Sequence, residues 1–496
     1  MAIREFVLCT SLILYFGVAY ANEESIEITG KRISKEELAD LEPVTVISAD
    51  DIKGLEGNMT VADLLKKITS SEASELSEEE QYDKGYEFYQ NEDYFMAYKF
   101  FYPLAEKGDG YAQFYVAYMY DMGLGAEADK LKAVYWYKKA AKQGISSAQN
   151  NLASMYHYGE GVEQNIEKAV HWYSRAVLNN SSEAQYSLGH LYDSGDLIEQ
   201  DYFRASELYK MAANQGHPNA AYYIALSYNE GDLYEKDKTQ YVNWLFRAAD
   251  FGQNEAMYDV GLAYFEGNGL PQDDKKALGW FLESGESGFV KGYYSYAWMI
   301  ERGRGHDTDL ELAHDFFLKA AEAGYLEAEY QVGSNYLYGK GVSPDYNKAL
   351  HWLTQAADHD HVDAINELAF MYYQGAGVDL NIARARELWL EAAEMGSFYA
   401  QTNLASLYEK GYGVPQNYKE AFRWYLKAAE QGELSAQVKV AKMYRAGLGV
   451  ESDLKQYRTW IKEAAARGSE EAIEEQESWE QPTNQAVESS DTASTQ

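Results

Sequence analysis

The stretch SFYAQTNLASLYEKGYGVPQNYKEAFRWYLKAAEQG, Ser397 to Gly432, decides the fold. Moved along the chain in steps of its own length, 36 residues, it recurs ten times from Asp109 to Gly468 without an insertion. One glycine column holds in every copy: Gly123, Gly159, Gly195, Gly231, Gly267, Gly303, Gly339, Gly375, Gly411 and Gly447. Self-similarity at such a period marks a stacked array, in which each unit touches mainly its neighbours. A chain of 496 residues therefore need not divide into several globular domains.

Each copy accommodates two helices. In the first, Ala400, Leu404 and Tyr408 recur at i, i+4 and i+8, which places one apolar stripe on one face. Gly411 and Gly413 follow. A glycine after a helix adopts the left-handed cap without steric cost. A phosphate-cradling reading of this G-x-G needs a preceding strand, and the copies have none. The second helix spans Lys419 to Ala429, with Ala421 and Ala428-Ala429 letting helices approach closely and Trp424 filling the groove. Trp136, Trp172, Trp244, Trp280, Trp352, Trp424 and Trp460 share that column, and core packing is the reading for all seven.

The pattern A-x-x-x-L-[GA]-x-x-Y-x-x-G-x-G-V…KA-x-x-W-[YL]-x-K-A-A-x-x-G resembles the Sel-one-like repeat (SLR), a relative of the tetratricopeptide repeat (TPR). The resemblance runs from Asp109 to Gly468. It implies an all-α fold, a right-handed superhelical solenoid of antiparallel helix pairs whose first helices line the concave face. It also implies a role in assembling proteins or binding partners. Cysteine-rich bacterial members act on β-lactams, but their cysteine pairs have no counterpart here, where Cys9 is the only cysteine. The copies depart from the pattern at Leu197 and Leu233, which replace the second glycine, and at Asn180 and Asp360, which replace the terminal one. A changed angle is expected at those joints.

Met1 to Ala21 reads as a signal peptide: Arg4 precedes an apolar run from Phe6 to Val18, and Ala19-Tyr20-Ala21 puts small residues at −3 and −1 of a cut before Asn22. Alternation at Ile26 and Ile28 and the run from Pro43 to Ser48 read as strands, and a short helix opens at Thr60. IEITGKRI, PVTVISADDI and TVADLLKKI, in that order, resemble the start of the plug of TonB-dependent receptors. In that family the first extended segment can pair with TonB by strand addition, so Ser25, Ile26, Glu27, Ile28 and Thr29 become candidate TonB contacts. The alternative is a leader, α+β or extended, that serves only as a cap. The expected order is thus a signal peptide (1–21), the plug-like leader (22–70) and an acidic linker (71–81). An atypical capping repeat (82–108), the ten copies (109–468), a capping helix (469–481) and a disordered tail (482–496) follow.

A formal net charge of −36 argues against nucleic acid and anionic membrane surfaces as partners. No second apolar stretch reaches membrane-spanning length, so no span is expected in the mature chain. Residues two and six after the first-helix alanine should face away from the core. There stand Tyr186, Tyr222, Tyr258, Tyr294, Trp298, Tyr330 and Phe370, as either an aromatic groove for a protein or peptide or a packing row between adjacent helices. The run Asp358-His359-Asp360-His361-x-Asp363 suits a solvated loop better than a metal site, and neither metal nor cofactor is expected. These readings together point to a periplasmic, non-enzymatic scaffold. A TonB-linked accessory of an outer-membrane uptake system is the first alternative and a cell-envelope hydrolase the second. N-terminal sequencing of the exported protein should begin at Asn22; an intact Met1 would contradict the signal reading.

Overall fold

The computed structural model describes residues 76–480 and, ahead of them, the backbone of five short strands. Glu5–Leu8 pairs antiparallel with Thr45–Ser48, while Tyr20–Asn22, Ser25–Ile28 and Lys31–Ser34 form a three-stranded antiparallel sheet. The remainder of the signal segment and the plug-like leader, Thr29 and the expected helix at Thr60 among them, lies outside the described residues. So do the start of the acidic linker and the tail after Glu480.

From residue 76 to 480 the regular structure is α-helical throughout, with twenty-three helices in succession. Glu78–Gln90 and Tyr94–Lys107 come first, ten pairs follow, and Glu470–Glu480 comes last. Two compact units result, Met1–Asp237 and Lys238–Gln496, with the boundary between the two helices of the fourth copy. Each unit is an α-solenoid of stacked helix pairs.

Helix ends follow from local chemistry. Gly411 stands in the left-handed region at φ +67° and its N–H donates to the Leu407 carbonyl, closing the first helix. The second glycine answers a tighter constraint: a Cβ on Gly341 would lie 1.9 Å from the Leu310 carbonyl oxygen. Only a bare backbone lets this loop rest on the start of the preceding second helix. Asn180 and Asp360 keep the left-handed backbone at φ +64° and +60°, as their short polar side chains tolerate. Second helices start on Asp or Asn, as at Asp129, Asn165, Asp345 and Asn417, whose side chains accept from N–H groups two or three residues on. Each such cap contributes about 1 kcal/mol.

The core lies between the two helix layers. The first-helix alanine column, from Ala112 to Ala436, is fully buried wherever it is alanine. The tryptophan column corrects the sequence reading. Trp136 and Trp424 are buried, but Trp172, Trp244, Trp280, Trp352 and Trp460 are only half-buried. The deepest column is the next residue: Phe101, Tyr137, Tyr173, Tyr209, Leu245, Phe281, Phe317, Leu353, Trp389, Tyr425 and Ile461 are all at most 2% exposed. One residue turns a helix by about 100°, and that turn moves the tryptophans toward the seam between successive second helices. Trp136 there meets Tyr102, and Trp280 meets Phe246, at 5.9 and 5.8 Å between centroids.

A buried polar ladder also crosses this core. Gln113, Gln149, Gln401 and Gln437 donate to the carbonyls of Ala105, Ala141, Ala393 and Ala429 in the preceding helix at 2.9–3.2 Å. Gln113, Gln149, Gln185 and Gln401 then accept from Gln143, Asn179, Gln215 and Gln431 at 2.7–2.9 Å. One amide thus ties three successive helices. In the seventh copy the two positions hold Glu329, buried, and His359, with Nδ1 3.5 Å from the carboxylate. Gln401→Ala should cost about 1–3 kcal/mol, because it strands the buried Ala393 carbonyl and takes the acceptor from Gln431. Phe317→Ala should cost about 3–5 kcal/mol and half-buried Trp352→Ala less. Urea denaturation measures all three, and a larger loss for Trp352→Ala than for Phe317→Ala would contradict the ranking.

Candidate functional site

The candidate site is the face of the first helices that carries the aromatic row. Its backbone is set by the helix register: these residues sit two or six positions after the buried alanine. They do not point away from all packing. Tyr186 is half-buried, tilted on Tyr209 at 5.8 Å and stacked on His217 at 4.7 Å. Tyr258 is buried between Phe281 and Phe289, at 5.1 and 5.3 Å, and its hydroxyl pairs with Ser295 Oγ at 3.2 Å. Tyr294 lies between Phe317 and Tyr325 at 5.3 and 5.1 Å. Tyr330 stacks on His361 at 4.6 Å.

A rule emerges from these contacts. Tyr186, Tyr258 and Tyr294 each rest on the deep residue of their own second helix. Tyr186, Tyr258, Tyr294 and Tyr330 all touch the first residue of the next copy. The row therefore packs between copies while Tyr186, Tyr222, Tyr294, Trp298, Tyr330 and Phe370 keep part of their surface open. Trp298 meets Phe265 at 5.9 Å and carries the Arg302 guanidinium at 4.5 Å. Tyr186 and Tyr222 belong to the first unit, and Tyr258, Tyr294, Trp298, Tyr330 and Phe370 to the second. The stacking residues His217, Phe289, Tyr325 and His361 were missed from sequence. All four occupy the first position of the 36-residue register, and that shared column is the signal that identifies them.

Two of those residues also cap helices. His217 Nδ1 accepts from the Ala220 N–H at 3.2 Å and His361 Nδ1 from the Ala364 N–H at 3.3 Å. That role requires an unprotonated Nδ1. Burial holds both imidazoles below their ordinary pKa, opposed by Glu183 at His217 and by Asp363, Glu327 and Glu329 at His361. Elsewhere on the face, Glu367 accepts from the Tyr338 hydroxyl at 2.6 Å and is raised above the usual carboxylate range, mainly by burial. Burial first, then Glu367 and Asp363, push the Tyr330 phenol up to about 12.

The Asp358–Asp363 run is the joint between the seventh and eighth copies: Asp358 ends one helix, His359 caps it, and His361 caps the next. Among the described residues no group of three or more His, Cys, Asp or Glu is placed to hold a metal ion. No described helix is long and apolar enough to cross a membrane.

Against known proteins, the Sel1 repeat model matches ten successive segments: 110–145, 146–181, 182–217, 218–250, 254–289, 290–325, 326–361, 362–397, 398–433 and 434–469. Among solved structures, the fold is similar to that of c5321, a protective antigen of uropathogenic Escherichia coli strains displaying an SLR fold. That likeness has a TM-score of 0.66 and 29% identity, over 84% of this chain and 90% of that one. A Sel1 repeat protein from Oxalobacter formigenes matches with a TM-score of 0.53 and 25% identity, over 66% of this chain and 93% of that one. No curated protein sequence matches.

The histidine caps give a pH dependence with a definite sign. A lowered folded pKa means the unfolded chain binds the proton more readily, so this stability is present above the unfolded value near 6.5. It is lost as pH falls through the folded values. Asparagine caps equally well and does not titrate here. The double variant His217→Asn/His361→Asn gives up two ring stacks and should melt below wild type at pH 7.5, and that deficit should shrink at pH 5 because asparagine does not titrate. Parallel melting curves at both pH values would contradict this.

Proposed function

The chain belongs to the Sel1 repeat family, and from that footing we propose that it is a non-enzymatic scaffold of the periplasm. It holds a protein or peptide partner on the aromatic face of its first helices. The observation that carries this reading is the row itself. Large rings that already pack between copies are immobilised before a partner arrives, so little side-chain entropy is lost on binding. Tyrosine and tryptophan are also enriched among the few residues that carry most of the energy at protein interfaces. The part of each ring left open is the surface a partner would cover. The signal-like segment Met1–Ala21 supports the periplasmic placement.

A second reading, a TonB-linked accessory, draws on the plug-like order of segments from Ile26 to Ile68. Removing residues 22–70 separates the two: equal TonB capture with and without them removes the second reading and leaves the first.

The scaffold reading is tested with Tyr294→Ala/Trp298→Ala against Tyr135→Ala, an exposed second-helix ring. Partner capture from envelope extracts should weaken about tenfold or more in the first, equivalent to ~1.4 kcal/mol, and stay unchanged in the second. Circular dichroism and melting report folding alongside. Capture that survives the double variant would overturn the assignment of the face.

A further inference from the structure

We propose that the first-helix face of the seventh and eighth copies receives a lysine- or arginine-bearing segment of a protein partner, an inference that rests on the scaffold reading and specifies its ligand. Lys291 stands one residue before the buried small position of the sixth copy, and its Nζ lies 5.0 Å from the Tyr258 ring of the copy before. The chain itself thus places a cation over an aromatic of the row. Arg302 does the same for Trp298.

In the next two copies the charge reverses. The position of Lys291 becomes Glu327 and then Asp363, both exposed. Glu327 acts on Tyr294 and Asp363 on Tyr330, in each case raising the phenol of the preceding copy. Glu367, one turn beyond Asp363, is half-buried and bonded to Tyr338. Tyr338 and, at the start of the ninth copy, Tyr399 are 58% and 57% exposed. Aromatic faces flanked by carboxylates suit a guanidinium or ammonium group, which is attracted to both.

The chain does not neutralise these carboxylates. Among the described residues, Glu327, Asp363 and Glu367 form no ion pair with a Lys, Arg or His. The last copies behave differently: Glu409 pairs with Lys439 at 3.1 Å, Glu471 with Lys442 and Glu475 with Arg445 at 2.5 Å. In the sixth copy this face carries Lys291 and Arg302 against aromatic rings, and at the C-terminal end its carboxylates pair with lysine or arginine, whereas Glu327, Asp363 and Glu367 have no basic partner. A net charge of −36 would speed the approach of a basic segment and repel a second copy of this chain.

The probes are two fluorescein-labelled twelve-residue Gly/Ser peptides, one with four arginines and one with four glutamates, titrated into the full mature chain by anisotropy. The arginine peptide should bind saturably, and Asp363→Asn/Glu367→Gln should weaken it about tenfold. The glutamine side chain can still accept from Tyr338, so the local fold is retained. Glu391→Gln/Glu430→Gln removes the same charge from exposed second-helix positions and should have no effect. Equal weakening by both pairs would reduce the effect to overall charge and overturn the inference, as would failure of the arginine peptide to bind. Binding of the glutamate peptide that is lost in Tyr294→Ala/Trp298→Ala would overturn this inference while leaving the scaffold reading intact.

Discussion

A pair of thirteen-residue helices cannot bury its own apolar face, and every other feature of this chain answers that constraint. Tyr209 is the example. It is fully buried because Tyr186 of its own copy and Tyr223 of the next close over it, at 5.8 and 4.5 Å. Stability in such a chain is shared between neighbours, so a fixed 36-residue spacing matters more than any one contact. It also explains the ends. The opening helix carries a full capping box, in which Ser77 and Glu80 satisfy each other's backbone N–H. The closing helix lays Trp479 on Tyr457 at 5.4 Å, in place of a further copy.

Much of this was legible in sequence because the repeat states its own register. The glycine column, the alanine seam and the approximate helix positions all follow from single-position chemistry that needs no neighbour. What escaped depends on a neighbour. Whether Trp352 or Leu353 lies deeper cannot be read from hydropathy, since both are apolar and adjacent. The packing of the next second helix decides it. The glutamine ladder couples positions thirty residues apart, as in Gln401 and Gln431. Read singly, each is an ordinary polar residue; read as columns, Gln113, Gln149, Gln185 and Gln401 each meet an amide and Glu329 meets His359. The aromatic row was visible as a row, but its stacking on His217, Phe289, Tyr325 and His361 was not, because those residues open the following copy.

The two helix layers therefore carry different work. Second helices hold the deep aromatic column and, at their outer seam, tryptophans covered by lysine or arginine, as with Lys427 4.3 Å from Trp424. First helices hold the ladder on their inner side and a partly open aromatic row on the other. Variation follows the same division. The deep second-helix column changes only among large apolar and aromatic residues, whereas the first-helix face passes from Lys291 to Glu327 to Asp363 within seventy-two residues. Variation is concentrated where packing leaves the side chain free.

The most direct measurement is hydrogen exchange of the full chain, alone and with its captured partner. The account predicts added protection confined to first helices, strongest in those spanning Asn254–Glu266, Lys291–Glu301, Leu326–Tyr338 and Val362–Gln374. Second helices should exchange at unchanged rates. Protection concentrated on the second helices, or spread evenly over both layers, would contradict the assignment of function to this face.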